Sequence, residues 1–84
     1  MTYSVSIKRS ALESLERIAR ADRRRIVEAI DKLATNPSAG GVLKGELGGL
    51  RRIRVAPYRV VYELRDEVLM VLVVRIGHRR EIYR

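Results

Sequence analysis

The chain has no cysteine, no tryptophan and no phenylalanine, and only one histidine and two prolines among its 84 residues. Without cysteine there is no disulfide framework, no thiolate metal site and no thiol nucleophile. One histidine beside scattered Asp and Glu does not easily assemble a metal centre, so neither a metal nor a cofactor is expected. Without Trp and Phe, the core has to be Val, Ile and Leu with four tyrosines. Long apolar runs are lacking too. The longest, Val68 to Val74, is far too short to span a bilayer, and no N-terminal stretch has the form of a signal peptide. A soluble, cytoplasmic protein without a membrane partner is the expectation. The length sets the scale: residues 1–84 form a single domain with a modest core and a thin stability margin.

What the chain has in excess is positive charge, a net +8. Such a balance attracts nucleic acid, an anionic membrane or an acidic protein. Charge alone decides little, but its placement is informative. The stretch from Leu50 to Arg84 carries nine arginines and no lysine, set around two apolar runs, Tyr58 to Tyr62 and Val68 to Val74. The flat, permanently charged guanidinium fork suits phosphate. A small sheet edged with arginine therefore reads as a surface for a phosphodiester backbone, with RNA or DNA as the first partner to consider.

Periodicity places the elements. Tyr3, Val5 and Ile7 alternate onto one face of a strand over residues 2–8. Ser10-Ala11-Leu12-Glu13 has the capping-box pattern and predicts a helix start. Leu12, Leu15, Ile18 and Ala19 then recur at helical spacing. Asp22 is expected to cap a second helix with Ile26, Val27, Ile30, Leu33 and Ala34 as its apolar stripe, stopped by Asn36-Pro37. The short joint near Arg20-Ala21-Asp22 implies an antiparallel helical hairpin. A glycine-rich loop follows from Pro37 to Gly49, without the Gly-Lys-Ser/Thr of a phosphate-cradling loop. Residues 50–55 predict a strand with Ile53 and Val55 on one face and Arg52 and Arg54 on the other. Ala56-Pro57 turns the chain into strand 58–64. A short turn at Arg65-Asp66-Glu67 leads to strand 68–76, whose apolar run reads as a central strand buried on both sides. The order β-α-α-β-β-β describes an α+β domain, a helical hairpin packed on one face of a mainly antiparallel four-stranded sheet.

No Ser-His-Asp set and no convergent acidic pair stands out. Arg52, Arg54, Arg59, Arg79 and Arg80 instead accompany His78 and Tyr83. If residues 78–84 are extended, Arg79, Glu81 and Tyr83 point one way and His78, Arg80 and Ile82 the other, which sets a phenol beside a guanidinium. Such a set can cleave RNA without metal. The substrate brings its own nucleophile, the 2′-hydroxyl, and arginines neutralise the charge that develops on phosphorus. A tyrosine crowded by cations becomes a candidate base, a role arginine fills poorly because it stays protonated. Plainer readings compete. Arg52 and Arg54 read equally as solvated outward positions, Arg59 as the ion-pair partner of Glu63, His78 as a turn residue, Tyr83 as packing near the terminus, and Arg23-Arg24-Arg25 as a solvated helix face. Tyr58 and Tyr62, two apart on one strand face, read as core, with base stacking as the alternative.

Three segments together resemble the RelE/ParE superfamily of bacterial toxins from toxin–antitoxin systems. They are the loop Leu43-Lys44-Gly45-Glu46-Leu47-Gly48-Gly49-Leu50, the hairpin Arg52-Ile53-Arg54-Val55 with Tyr58-Arg59-Val60-Val61-Tyr62-Glu63, and the C-terminal run Val74-Arg75-Ile76-Gly77-His78-Arg79-Arg80-Glu81-Ile82-Tyr83. The likeness spans essentially the whole chain. It implies a toxin held by a cognate antitoxin, with operator DNA reached only indirectly through that antitoxin. RelE-like members cleave mRNA in the ribosomal A site, in contact with rRNA, whereas ParE-like members poison DNA gyrase without a nuclease site. The RelE-like branch is favoured because Arg52, Arg54, Arg59, Arg79 and Tyr83 match its basic strand, its third-strand arginine and its C-terminal arginine and tyrosine. By this resemblance Tyr83 is the base, Arg59 holds the scissile phosphate and Arg79 assists the leaving group. Arg52, Arg54 and Arg80 bind RNA, and His78 is a further acid/base candidate. The chain departs from the pattern where lysine is often found at positions 52 and 54, and where Ala56-Pro57 replaces a Gly-Asp type of turn. The alternatives are a ParE-like gyrase inhibitor and an inactive relative that binds only RNA or its antitoxin.

Overall fold

The computed structural model describes residues 2–45 and 48–80. In chain order they form β1 (Ser4–Ile7), α1 (Arg9–Glu16), α2 (Arg20–Lys32), β2 (Gly41–Val42), β3 (Arg51–Val55), β4 (Tyr58–Arg65) and β5 (Met70–His78). The α+β class expected from the sequence holds, but the sheet has five strands, in the order β1-β5-β4-β3-β2. The additional strand is β2, whose two residues pair antiparallel with Arg51 and Arg52. It is too short, and too rich in glycine, to show an alternation. The β3–β4 and β4–β5 pairings are antiparallel, and β1 joins β5 in parallel.

Both helices start earlier than side-chain capping suggested. Lys8 is the N-cap of α1 and makes no side-chain cap bond. Its amide donates to Val73 O at 2.8 Å, so the chain is still held by the sheet one residue before the helix begins. The sheet sets this boundary, and Ser10 lies inside the first turn. In α2 the N-cap is Ala19, and Asp22 sits in the first turn, where its carboxylate pairs with Arg25 at 3.2 Å. A negative charge there still favours the helix dipole. Arg25 Nη2 also donates to Ala56 O at 3.1 Å and ties α2 to the β3–β4 turn. Arg25 is therefore a docking residue, while Arg24 pairs with Glu28 on the solvated side.

The core lies between the helices and one face of the sheet. Ala11 and Leu15 of α1 and Ile26, Ile30 and Leu33 of the α2 segment meet Val55, Val60, Tyr62, Val71, Val73 and Ile76. Tyr62, the largest fully buried side chain, anchors the loop before β2. Its hydroxyl donates to Pro37 O at 2.6 Å and accepts from Gly40 N at 3.0 Å. Burial raises the Tyr62 pKa above the ordinary phenol value, against the opposing pull of the Gly40 amide and the Arg51 charge. Gly40 has to be glycine, because a Cβ there would stand 2.7 Å from Arg52 O and 2.8 Å from the Tyr62 hydroxyl. Arg51 closes the same corner, donating to Gly40 O at 2.9 Å.

The β4–β5 connection differs from the expected turn. Asp66–Val68 form a single 3-10 turn, and Leu69 follows in the left-handed region at φ 50°. Val68 and Leu69 are thus exposed turn residues rather than the start of a strand. The Tyr3 hydroxyl donates to Asp66 Oδ1 at 2.6 Å and pins this turn to the edge of β1. In β5, Val71, Val73 and Ile76 are buried whereas Met70, Leu72 and Val74 are only half-buried, so this central strand is covered fully on one side.

A bulge in β5 sets which side chains reach the far face of the sheet. Val61 pairs with Arg75, but Tyr62 pairs with Val73, leaving Val74 as an extra residue. An extra residue reverses the alternation beyond it. Arg75 and Gly77 accordingly fall on the face away from the helices, and Ile76 and His78 on the helix face.

Candidate nucleic-acid interface

Residues directly opposite on neighbouring strands share a face of the sheet. Ile53 and Val55 of β3 stand opposite Val60 and Tyr58 and complete the core side. By the same register Arg52 stands opposite Val61, and Arg54 opposite Arg59, on the far face. On β5, Arg75 stands opposite Val61 and Gly77 opposite Arg59. Three adjacent strands thus bring Arg52, Arg54, Arg59 and Arg75 onto one surface. Arg52 and Arg59 are half-buried, and Arg54 and Arg75 are exposed. Gly77 adds no side chain beside Arg59.

Arginine is the commonest charged residue that the register places on this face. Arg54 and Arg59 are like charges held directly opposite, with Cα atoms about 4.5–5.5 Å apart in such a pair. Glu63 is the sole acid in β3, β4 and β5. Its carboxylate accepts from Arg65 Nε at 2.7 Å, which raises the Arg65 pKa, so the ion pair formed by Glu63 lies at the other end of β4. Between the arginines, Val61 is fully buried yet stands outside the main core cluster. It is flanked across both ladders by Arg52 and Arg75, whose aliphatic stems are suited to such a site. The surface is therefore a rigid sheet with an apolar centre and guanidinium groups around it.

The remaining site candidates lie around one end of the sheet. Arg79 and Arg80 are exposed beyond the end of β5. The Arg79 amide donates to Pro57 O at 3.0 Å, so the β4–β5 ladder continues to the Ala56-Pro57 turn, near Arg54 and Arg59. His78 is placed elsewhere. It pairs with Tyr58 in register, and the two rings meet edge to face at 6.1 Å and 81° on the helix side. Its Nδ1 accepts from the Arg80 amide at 3.2 Å. The structure thus joins Arg52, Arg54 and Arg59 and sets His78 across the sheet from them. Tyr83 and Glu81 lie outside the described residues. Arg75 is the residue that sequence alternation missed. Counted back from His78 without a bulge, it would share the face of Val71 and Val73.

Comparisons with known proteins bear on the family and the fold. The family described as "ParE toxin of type II toxin-antitoxin system, parDE" matches residues 5–83. Toxin RelG of Mycobacterium tuberculosis is 33% identical, over 100% of this chain and 99% of its own. Among solved structures, one chain of the toxin–antitoxin complex RelBE2 of M. tuberculosis superimposes with a TM-score of 0.87 at 28% identity, covering 94% of this chain and 100% of that one. A chain of the archaeal RelE–RelB complex of Pyrococcus horikoshii follows at 0.78 and 29%, covering 96% and 99%. With a family match over nearly all of its length and the same fold as these toxins, the chain belongs to the ParE toxin family of type II toxin–antitoxin systems, within the RelE/ParE superfamily.

Proposed function

We propose that this toxin is a ribosome-dependent mRNA endonuclease that arrests translation by cutting the message in the A site. The observation that carries the reading is the arginine face. Arg52, Arg54, Arg59 and Arg75 stand on one surface of three adjacent strands, with two like charges directly opposed. Guanidinium groups gathered on one surface suit a polyanion.

On this surface the 2′-hydroxyl of the substrate attacks the adjacent phosphorus. The new P–O2′ bond forms as the P–O5′ bond breaks, which leaves a 2′,3′-cyclic phosphate and a 5′-hydroxyl. Arg59, opposite Arg54 on one strand and Gly77 on the other, holds the scissile phosphate and neutralises the charge that develops there. Removal of one such donor typically costs about 10²–10³ in rate. Tyr83 takes the 2′ proton, and Arg79, next to the hairpin turn, supports the departing 5′-oxygen, which takes up a proton from water to leave as the hydroxyl. Arg52, Arg54 and Arg80 hold the flanking backbone of mRNA and rRNA. A cognate antitoxin is the controlling partner, by analogy with the relatives solved as toxin–antitoxin complexes, and operator DNA is reached only through it. The site of action is the cytoplasm. Among the described residues no helix is long and apolar enough to cross a membrane.

A second reading is favoured by the description of the matched family, which is that of ParE. A ParE-like toxin would poison DNA gyrase and use the arginines for binding alone. Primer extension on mRNA from cells expressing the toxin, run beside a gyrase supercoiling assay, separates the two. Discrete breaks within translated codons and unaffected supercoiling are expected. Intact messages with inhibited supercoiling would favour the gyrase reading, and neither effect would mark a relative that only binds.

A further inference from the structure

We infer that the cleft between the C-terminal end of α1 and the open edge of β5 is a nucleobase subsite, which takes an unpaired RNA nucleotide flanking the one that is cut. The inference rests on the RNA-cleaving reading of the arginine face and extends it around the edge of the sheet.

The cleft has a volume of about 350 Å³ and is lined by Ser14, Arg17, Ile18, Tyr58, Ile76 and His78, among others. Sites for small organic ligands begin at about 300 Å³, and this one mixes the polar Ser14, Arg17 and His78 with the apolar walls of Ile18, Tyr58 and Ile76. Its position follows from the topology. β1 pairs only with Met70–Val73 of β5, so among the described residues no strand covers the other edge of Arg75–His78. The same four residues show two faces. Arg75 and Gly77 belong to the arginine surface, and Ile76 and His78 line the cleft. A strand of RNA leaving Arg59 across Gly77 meets this edge directly and needs no further turn of protein to enter.

The lining chemistry selects the occupant. Arg17, which is exposed, is the permanently charged side chain of the cleft, and no acid lines it. That favours an anion. The Tyr58–His78 pair meets edge to face, so the two rings are not stacked on one another, and flat aromatic surface suits a base. Because His78 Nδ1 accepts from the Arg80 amide, the neutral ring carries its proton on Nε2 and offers a donor to a base or a phosphate. Ile18 and Ile76 supply apolar walls. A nucleotide has both features the cleft selects, a flat ring and an anionic group in reach of Arg17. An acidic peptide has only the second.

The test is an NMR titration of the full chain with uridine and adenosine 5′-monophosphates, with inorganic phosphate and an acidic peptide as controls. The Tyr58 and His78 ring signals should shift saturably with the nucleotides and at least several-fold less with the controls. Arg17→Glu, a change at an exposed side chain, should weaken nucleotide binding roughly tenfold or more, and Ile18→Trp should fill the cleft and abolish it. Arg24→Ala, which removes one charge on the solvated side of α2, should bind mononucleotides as the parent does. Ring signals that stay fixed would overturn the subsite. Equal shifts with phosphate would reduce it to an anion site, and a response to the peptide alone would assign it to a protein partner. The two readings fail separately. Nucleotide binding here without mRNA cleavage would remove only the nuclease assignment, and cleavage with unmoved rings would remove only the subsite.

Discussion

Replacing Tyr62 by phenylalanine removes one oxygen from the largest fully buried side chain of the core. The ring remains in place, fully buried among the helices. The hydroxyl now donates to Pro37 O at 2.6 Å and accepts from Gly40 N at 3.0 Å. Without it, the buried Gly40 amide has lost its acceptor, and no side chain fits there because even a Cβ would collide with Arg52 O. An unsatisfied buried donor costs about 1–3 kcal/mol, and losing the bond to the Pro37 carbonyl adds about 0.5–1.5 kcal/mol, a total of about 2–4 kcal/mol. In a domain of this size each kcal/mol moves Tm by roughly 4–8 °C, so a fall on the order of 10–30 °C is expected. Urea unfolding followed by circular dichroism reads the loss directly, with an unchanged m-value if the denatured state is unaltered. Tyr62 faces the helices while Arg54 and Arg59 face away from them. Cleavage per folded molecule should therefore be preserved well below the new Tm. A stability loss under about 0.5 kcal/mol would refute the anchoring role, because buried hydrogen bonds ordinarily contribute more than that. A collapse of activity with the fold intact would refute the separation of the two faces.

Three further outcomes follow from the same geometry. Gly40→Ala should destabilise by at least about 1–3 kcal/mol, the usual cost of overpacking, whereas Gly41→Ala, whose Cβ would meet nothing within 4 Å, should be tolerated in a thermal melt. Tyr62 and Tyr3 hold their protons more tightly than ordinary phenols, the first through burial and the second through its bond to Asp66. The unfolded chain releases these protons near pH 10, so stability is full below that pH and falls as pH rises through the folded values. Melts between pH 8 and 11 should show this fall, and it should be shallower in Tyr62→Phe. Arg75→Ala should weaken binding of single-stranded RNA and reduce the log–log salt slope by about 0.7, the share of one phosphate contact. An unchanged slope would remove Arg75 from the interface.

Much of the architecture was legible in local periodicity. Tyr3, Val5 and Ile7, the helical stripes through Leu15, Ile26 and Ile30, and the opposed facing of Ile53 and Arg54 all keep their expected sides, because each segment repeats its period several times. What was not legible depends on partners distant in sequence. The start of α1 is decided by Lys8 bonding to Val73, not by Ser10. β2 exists because Arg51 and Arg52 offer an edge to two residues. The turn residues Val68 and Leu69 look like strand because they are apolar, and only the 3-10 turn takes them out of it. The largest effect on the site comes from Val74. A single unpaired residue brings Arg75 to the arginine face and His78 to the helices, and nothing in the local run of valines marks it. Arg52, Arg54 and Arg59 were legible because β3 and β4 pair without interruption there. The placement expected for Tyr83 lies outside the described residues.

The most direct measurement is the end chemistry of message cut by purified toxin on programmed ribosomes, compared between the parent and Arg59→Ala with circular dichroism as the control for folding. The account predicts 2′,3′-cyclic phosphate or 3′-phosphate ends from the parent, and a rate lower by about 10²–10³ in a folded Arg59→Ala chain. A 3′-hydroxyl end, or full activity without the Arg59 guanidinium, would contradict it.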